Sequence, residues 1–173
     1  EIADDAVRAH YQANLVEYTE SATISFVHVF HSLSKNGVSL ATSKSSALLD
    51  RLNAQGVTLE QASQYGDRFP YHVNYVEKTL EQVTDHFGMA MARQLFSLPV
   101  NRQQWQGGFQ SEHGSHLVLM ADSNPARVPE FAEVAGQVLV DLRNQIKSRH
   151  HKEYIDEVLG HYRVEIDPGL LSN

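Results

Sequence analysis

Two histidines stand inside runs that are otherwise apolar: Phe26-Val27-His28-Val29-Phe30, and Ser115-His116-Leu117-Val118-Leu119-Met120. β-Branched and aromatic residues dominate both runs, which is the composition of a strand. A period of two puts Ile24, Phe26, His28 and Phe30 on one face of the first strand, and His116, Val118 and Met120 on one face of the second. An imidazole in such a row needs a hydrogen-bond partner, because an unpaired polar group is costly to bury. The partner is either the other imidazole or the backbone, and either structural support or direct chemistry would use the pair.

Other chemistries fit the residues less well. His28 and His31 are three apart, as are His113 and His116, and on a strand that spacing points to opposite faces, so neither pair chelates a metal easily. There is no His-Glu-x-x-His motif, no Gly-x-Ser-x-Gly elbow and no Gly-x-x-x-x-Gly-Lys phosphate loop. His150-His151, flanked by Lys147, Arg149 and Lys152, reads as a solvated helix face. With no cysteine, disulfide scaffolds, thiolate zinc sites and cysteine nucleophiles are excluded. The sequence therefore calls for no metal and no cofactor.

The 173 residues are 42% hydrophobic and 20% charged, enough for one sizeable core. No apolar run approaches the roughly 20 residues of a membrane-spanning helix. A net charge of −7 argues against a general nucleic-acid binder, which needs a cationic surface. The chain opens on Glu1 rather than Met, which fits a processed precursor or an excised fragment. Lack of cysteine is compatible with export.

The elements that must position the histidines follow from periodicity. Ile2, Ala6, Ala9, Ala13 and Val16 predict a helix over Ile2 to Tyr18, with Asp4 and Asp5 at its positive end. After the first strand, Asn36-Gly37 marks a turn within Ser34 to Ser39. A helix is expected over Ala41 to Gln55, closed by Gly56. Tyr65-Gly66-Asp67-Arg68-Phe69-Pro70-Tyr71 breaks any helix. Val76 to Phe87 reads as helical, and Gly88 separates it from a helix over Met89 to Phe96. Trp105 to Phe109 has strand-and-turn character. Pro129 opens a long helical pattern, interrupted by a polar patch at Ser148 to Lys152, and Tyr162 to Ile166 alternates like a strand. Few strands among many helices, without regular βαβ alternation, predict an α+β fold.

The two histidine strands, with Trp105-Gln106-Gly107-Gly108-Phe109-Gln110-Ser111-Glu112-His113-Gly114 leading into the second, resemble the parvulin (PpiC-type) family of peptidyl-prolyl isomerases. That family has a strand with a histidine and apolar residues near its start. A Ser or Thr, a Gly and a second histidine strand stand at its end. Leu95-Phe96-Ser97-Leu98-Pro99 resembles the segment that closes its second helical stretch. The resemblance spans about residues 22–122. It leaves 1–21 as a helical extension and 123–173 as a helix-and-strand extension, similar to those of exported foldases.

The resemblance implies an FKBP-like small mixed or antiparallel sheet surrounded by helices, with His28 and His116 neighbours on central strands. It implies that the histidines pair beneath a proline pocket, with Ser111 at the family's hydroxyl position. Phe87, Met91, Phe96 and Trp105 would be the apolar residues about the substrate, although Trp105 also reads as core or rim and Met91 as a packing residue. Asp67 matches either the acid that the family carries after its first helix or the aspartate of its glycine-rich loop. Two departures stand out: there is no Gly-Gly-x-x-Gly loop here, and Ser115 replaces a common aromatic. The activity implied is isomerisation of X–Pro bonds in unfolded or partly folded polypeptides, in the periplasm or cell envelope. The alternative is a parvulin fold kept as a chaperone with weak or no catalysis.

Overall fold

The structure, a computed structural model, describes residues 2–161. The chain divides into two compact units. One comprises residues 20–127, and the other residues up to 19 together with those from 128 onward.

In the first unit, β1 (Thr23–Ser32), β2 (Asn74–Thr79), β3 (Gln106–Gln110) and β4 (Gly114–Asn124) form an antiparallel sheet in the order β2-β1-β4-β3. This is the α+β architecture expected from the sequence, and the histidine strands β1 and β4 are its two central neighbours. Period-two alternation gives the sheet two faces. Ile24, Phe26, Phe30, Val118 and Met120 face one cluster, with Tyr75, Val83, Phe87, Met91 and Leu95. Val27, Val29, Leu117 and Leu119 face the other, with Leu52, Val57 and Trp105. A central strand buried on both sides reads as an almost unbroken apolar run, and β4 is buried from Gly114 to Met120.

Helix α3 (Leu33–Gln55) packs on the second cluster, and a short 3-10 helix, Leu59–Gln64, follows. Helices α4 (Leu80–Phe87) and α5 (Met89–Phe96) close the first cluster, separated by Gly88 as the sequence predicts. Two expectations are corrected here. Ser34 to Ser39 is part of α3 rather than a free turn, with the chain kinked at Gly37, whose φ is 70°. Asn74 to Thr79 is strand β2, not the start of a helix. Tyr75 buries its ring while Val76 lies exposed, and Thr79 caps α4 through a capping box with Gln82.

In the second unit, α1 (Asp4–Ala13), α2 (Leu15–Tyr18) and α6 (Phe131–Gly160) gather Val7, Tyr11, Tyr18, Val138 and Leu142 into a small core. The single expected N-terminal helix is broken at Asn14, which leaves helical geometry at φ −125°. The expected interruption at Ser148 to Lys152 is absent: α6 runs through it. That stretch is solvent-exposed and has no proline or glycine to stop a helix. The strand expected over Tyr162 to Ile166 lies outside the described residues. No helix among the described residues is long and apolar enough to cross a membrane.

Candidate functional site

His28 and His116 are 1% and 0% exposed, and their Nδ1 atoms lie 3.1 Å apart. The register explains the meeting. His28 stands opposite Val118 and Phe30 opposite His116, so both imidazoles emerge on the same sheet face as diagonal neighbours, two residues apart along the ladder.

The hydrogen-bond partners fix the tautomers. His28 Nε2 is 2.8 Å from the His72 carbonyl, which can only accept, so His28 carries its proton on Nε2. In the neutral ring Nδ1 is then an acceptor, and His116 Nδ1 must donate to it. His116 Nε2 is left as an acceptor, and the Ser111 hydroxyl, 2.7 Å away, donates to it. Ser111 Oγ in turn accepts from the backbone N–H of His113 at 3.1 Å. One directed chain runs His113 N–H, Ser111, His116, His28, His72 carbonyl, and every member is satisfied with both rings neutral. Titration agrees. Burial pushes the His28 imidazole down to about 4, although the His72 carbonyl pulls the other way. Burial, with His28 and His113 beside it, also pushes His116 well down.

Aromatic rings enclose the pair. Phe69 meets His28 edge-on at 4.7 Å and His116 at 5.4 Å, and stacks on Phe87 at 5.3 Å. Phe87 meets the two imidazoles at 5.1 and 5.3 Å, and Phe30 lies 5.0 Å from His116. Phe69 comes from segment 65–73, which crosses β1. Gly66 permits that crossing: its φ is +76°, and a Cβ there would stand 2.6 Å from the Phe30 carbonyl oxygen.

Of the residues singled out from the sequence, His28, His116 and Ser111 are brought into one network. Phe87 and Met91 join the same cluster but are buried, at 2% and 1% exposure. Phe96 packs at the cluster's edge. Trp105 is on the opposite sheet face, its indole N–H donating to the Val57 carbonyl at 2.8 Å, because the chain enters β3 on the α3 side. Asp67 is not brought to the pair. Its carboxylate accepts from the Ser32 N–H and the Asn36 amide, each at 3.0 Å, with Lys35 at 3.5 Å. Burial would raise its pKa, but these partners outweigh it and hold it below the ordinary value. Phe69, Tyr75 and the His72 carbonyl were not anticipated. An aromatic residue inside a helix-breaking loop was the available signal for Phe69. No group of three or more His, Cys, Asp or Glu among the described residues could hold a metal ion.

No family model and no curated protein matches the chain. Among solved structures it is similar to one from the pair formed by the virulence factor PEB4 and the periplasmic protein Cj1289 of Campylobacter jejuni, described as structurally related SurA-like chaperones. The TM-score is 0.52 at 16% identity, over 96% of this chain. The chain spans 65% of the length of that structure. It also aligns with PrsA from Bacillus subtilis at a TM-score of 0.43 and 10% identity, over 98% of this chain and 59% of that one. At this identity the first likeness is one of fold: the chain shares the fold of a SurA-like chaperone.

Proposed function

We propose that the unit of residues 20–127 captures proline-containing segments of unfolded polypeptides and speeds rotation about X–Pro bonds. The observation that carries this reading is the directed, neutral Ser111–His116–His28 chain on adjacent central strands, flanked by the Phe30 and Phe87 rings. The X–Pro barrier arises from amide resonance, ~18–20 kcal/mol for a peptide bond. Resonance places negative charge on the carbonyl oxygen, so water and cations favour the planar ground state. An enclosure of aromatic rings and uncharged imidazoles offers the carbonyl neither, and so favours the twisted amide over the planar one. His28 and His116 act here by staying neutral and holding the strands in register, not by moving protons to substrate. No covalent step is involved. The shared fold with a SurA-like chaperone supports a polypeptide client, and on the same reading the protein works in the cell envelope.

A second reading, a chaperone that binds such segments without isomerising them, is favoured by Asp67, whose carboxylate is tied to Ser32 and Asn36 instead of facing the pair. Exchange NMR on a panel of X–Pro peptides separates the two. Accelerated exchange supports the isomerase. Unchanged exchange, with suppressed aggregation of an unfolded protein, overturns it in favour of the chaperone.

A further inference from the structure

The place above the histidine pair is already taken. Phe69 fills it, 5% exposed, in ring contact with His28, His116, Phe30 and Phe87. Phe87 and Met91, expected to receive a proline ring, lie buried in the same cluster. Yet Phe69 does not come from a helix or strand. It hangs from the segment between the 3-10 helix and β2.

That segment is held at its two ends. On one side Asp67 N–H donates to the Phe30 carbonyl at 2.7 Å, and its carboxylate holds Ser32 and Asn36. On the other, the His28 N–H donates to the Val73 carbonyl at 3.0 Å and His28 Nε2 to the His72 carbonyl. Between these pins, among the described residues, Arg68, Phe69 and Tyr71 make no backbone hydrogen bond. Space adjoins the span on two sides. A cavity of about 380 Å³ is lined by His28, Phe30, Tyr65, Gly66, Phe69 and Tyr71. Another of about 320 Å³ is lined by Phe30, Lys35, Arg68, Pro70 and His113. The outer hold is Tyr71, 46% exposed, stacked on His86 at 4.1 Å. A buried ring on a span pinned at its ends, with room beside it, has the mechanics of a plug.

We propose that Phe69 is an internal occupant of the ring seat over His28 and His116, and that the proline ring of a client segment takes the seat only when Phe69 swings out. This rests on the peptide-binding reading above and adds a closed state to it. The free protein then binds with its intrinsic affinity reduced by the fraction that is open. Phe69, the length of the span and the Tyr71–His86 stack set that fraction.

The test is titration of the intact chain, by NMR, with acetyl-Ala-Ala-Pro-Ala-amide and with its proline-free counterpart. The parent is compared with Phe69→Ala, Phe69→Leu and Tyr71→Ala. The expected result is that Phe69→Ala binds the proline peptide at least about tenfold more tightly than the parent, with Phe69→Leu and Tyr71→Ala showing smaller gains. The proline-free peptide should gain nothing. If Phe69→Ala fails to fold, Tyr71→Ala carries the test, since Tyr71 lies at the surface. Binding of the proline peptide by the parent with no gain in the folded variants overturns the plug and leaves the peptide reading standing. Absence of peptide binding in every protein overturns both.

Discussion

Acidification from pH 7 to pH 5 should sharply destabilise the sheet unit, well before its carboxylates titrate. An unfolded histidine titrates near 6.5, whereas burial holds His28 at about 4 and pushes His116 down as well. In the window between the two values the unfolded chain binds more protons than the folded one. Stability therefore rises with pH there, and is lost as the pH falls below about 6.5 towards the folded value. At pH 5 the loss is about 2 kcal/mol for His28. His116, shifted the same way, adds a comparable amount, for about 4 kcal/mol in all against a typical total of about 5–15. His31 and His86 are also pushed down by burial and reinforce the sign. Asp67 works in a lower window. Its carboxyl is held below the ordinary value, so its contribution persists through pH 5.

The assay is urea unfolding at pH 7, 6 and 5, followed by Trp105 emission. Trp105 is buried in this unit on the opposite sheet face, so it reports unfolding without touching the pair. A double replacement, His28→Leu with His116→Leu, should flatten most of the pH dependence, because it removes the two deeply buried imidazoles that carry most of it. A parent midpoint that stays level from pH 7 to pH 5 would refute the neutral buried pair. Nitrogen-15 shifts at pH 7 give an independent check, with the proton expected on Nε2 of His28 and on Nδ1 of His116.

Ser111→Ala leaves His116 Nε2 without its donor and should cost about 1–3 kcal/mol, read as a lowered melting temperature that Ser111→Thr restores. Gly66→Ala combines a φ of +76° with a Cβ 2.6 Å from the Phe30 carbonyl, and should cost about 2 kcal/mol or more; an unchanged melt would contradict the close crossing. Asp67→Asn keeps a carbonyl oxygen to accept from the Ser32 N–H and the Asn36 amide, so the anchor of the Phe69 span survives and only the partly exposed ion pair with Lys35 is lost. It should leave proline exchange unchanged and cost under about 1 kcal/mol, and a collapse in exchange rate would mean that the carboxylate's charge reaches the substrate.

The histidine strands were legible because strand periodicity is local. Once Phe26, His28 and Phe30 share a face, and His116, Val118 and Met120 another, antiparallel pairing leaves few ways to arrange them. Ser111 was legible only through the family resemblance, since nothing in its spacing says that its hydroxyl reaches His116. Strand β2 was lost to a rival period. Val76, Leu80, Val83 and Phe87 recur at helical spacing, yet the ladder to β1 takes Asn74 to Thr79, and the Thr79 capping box marks where the helix starts. Pairing with a strand about fifty residues away is a tertiary decision, and a local window does not contain it.

The same reasoning accounts for Asp67 and Phe69, which exchange the roles that composition suggests. A carboxylate beside a glycine looks like chemistry, and a phenylalanine in a loop looks incidental. Once the chain crosses β1 at Gly66, geometry decides otherwise. The Asp67 N–H meets the Phe30 carbonyl and its carboxylate turns to the Ser32 N–H, which anchors the span. Two residues on, Phe69 has emerged on the histidine face, where its ring joins those of Phe30 and Phe87. The acid therefore fixes where the ring falls. Shortening or lengthening the span between Asp67 and His72 by one residue should displace Phe69 from the imidazoles while leaving the strands paired. The His28 and His116 ring-proton shifts would then move, although the Trp105 environment would not. Unmoved imidazole shifts in such a variant would mean that the enclosure is built by Phe30 and Phe87 alone.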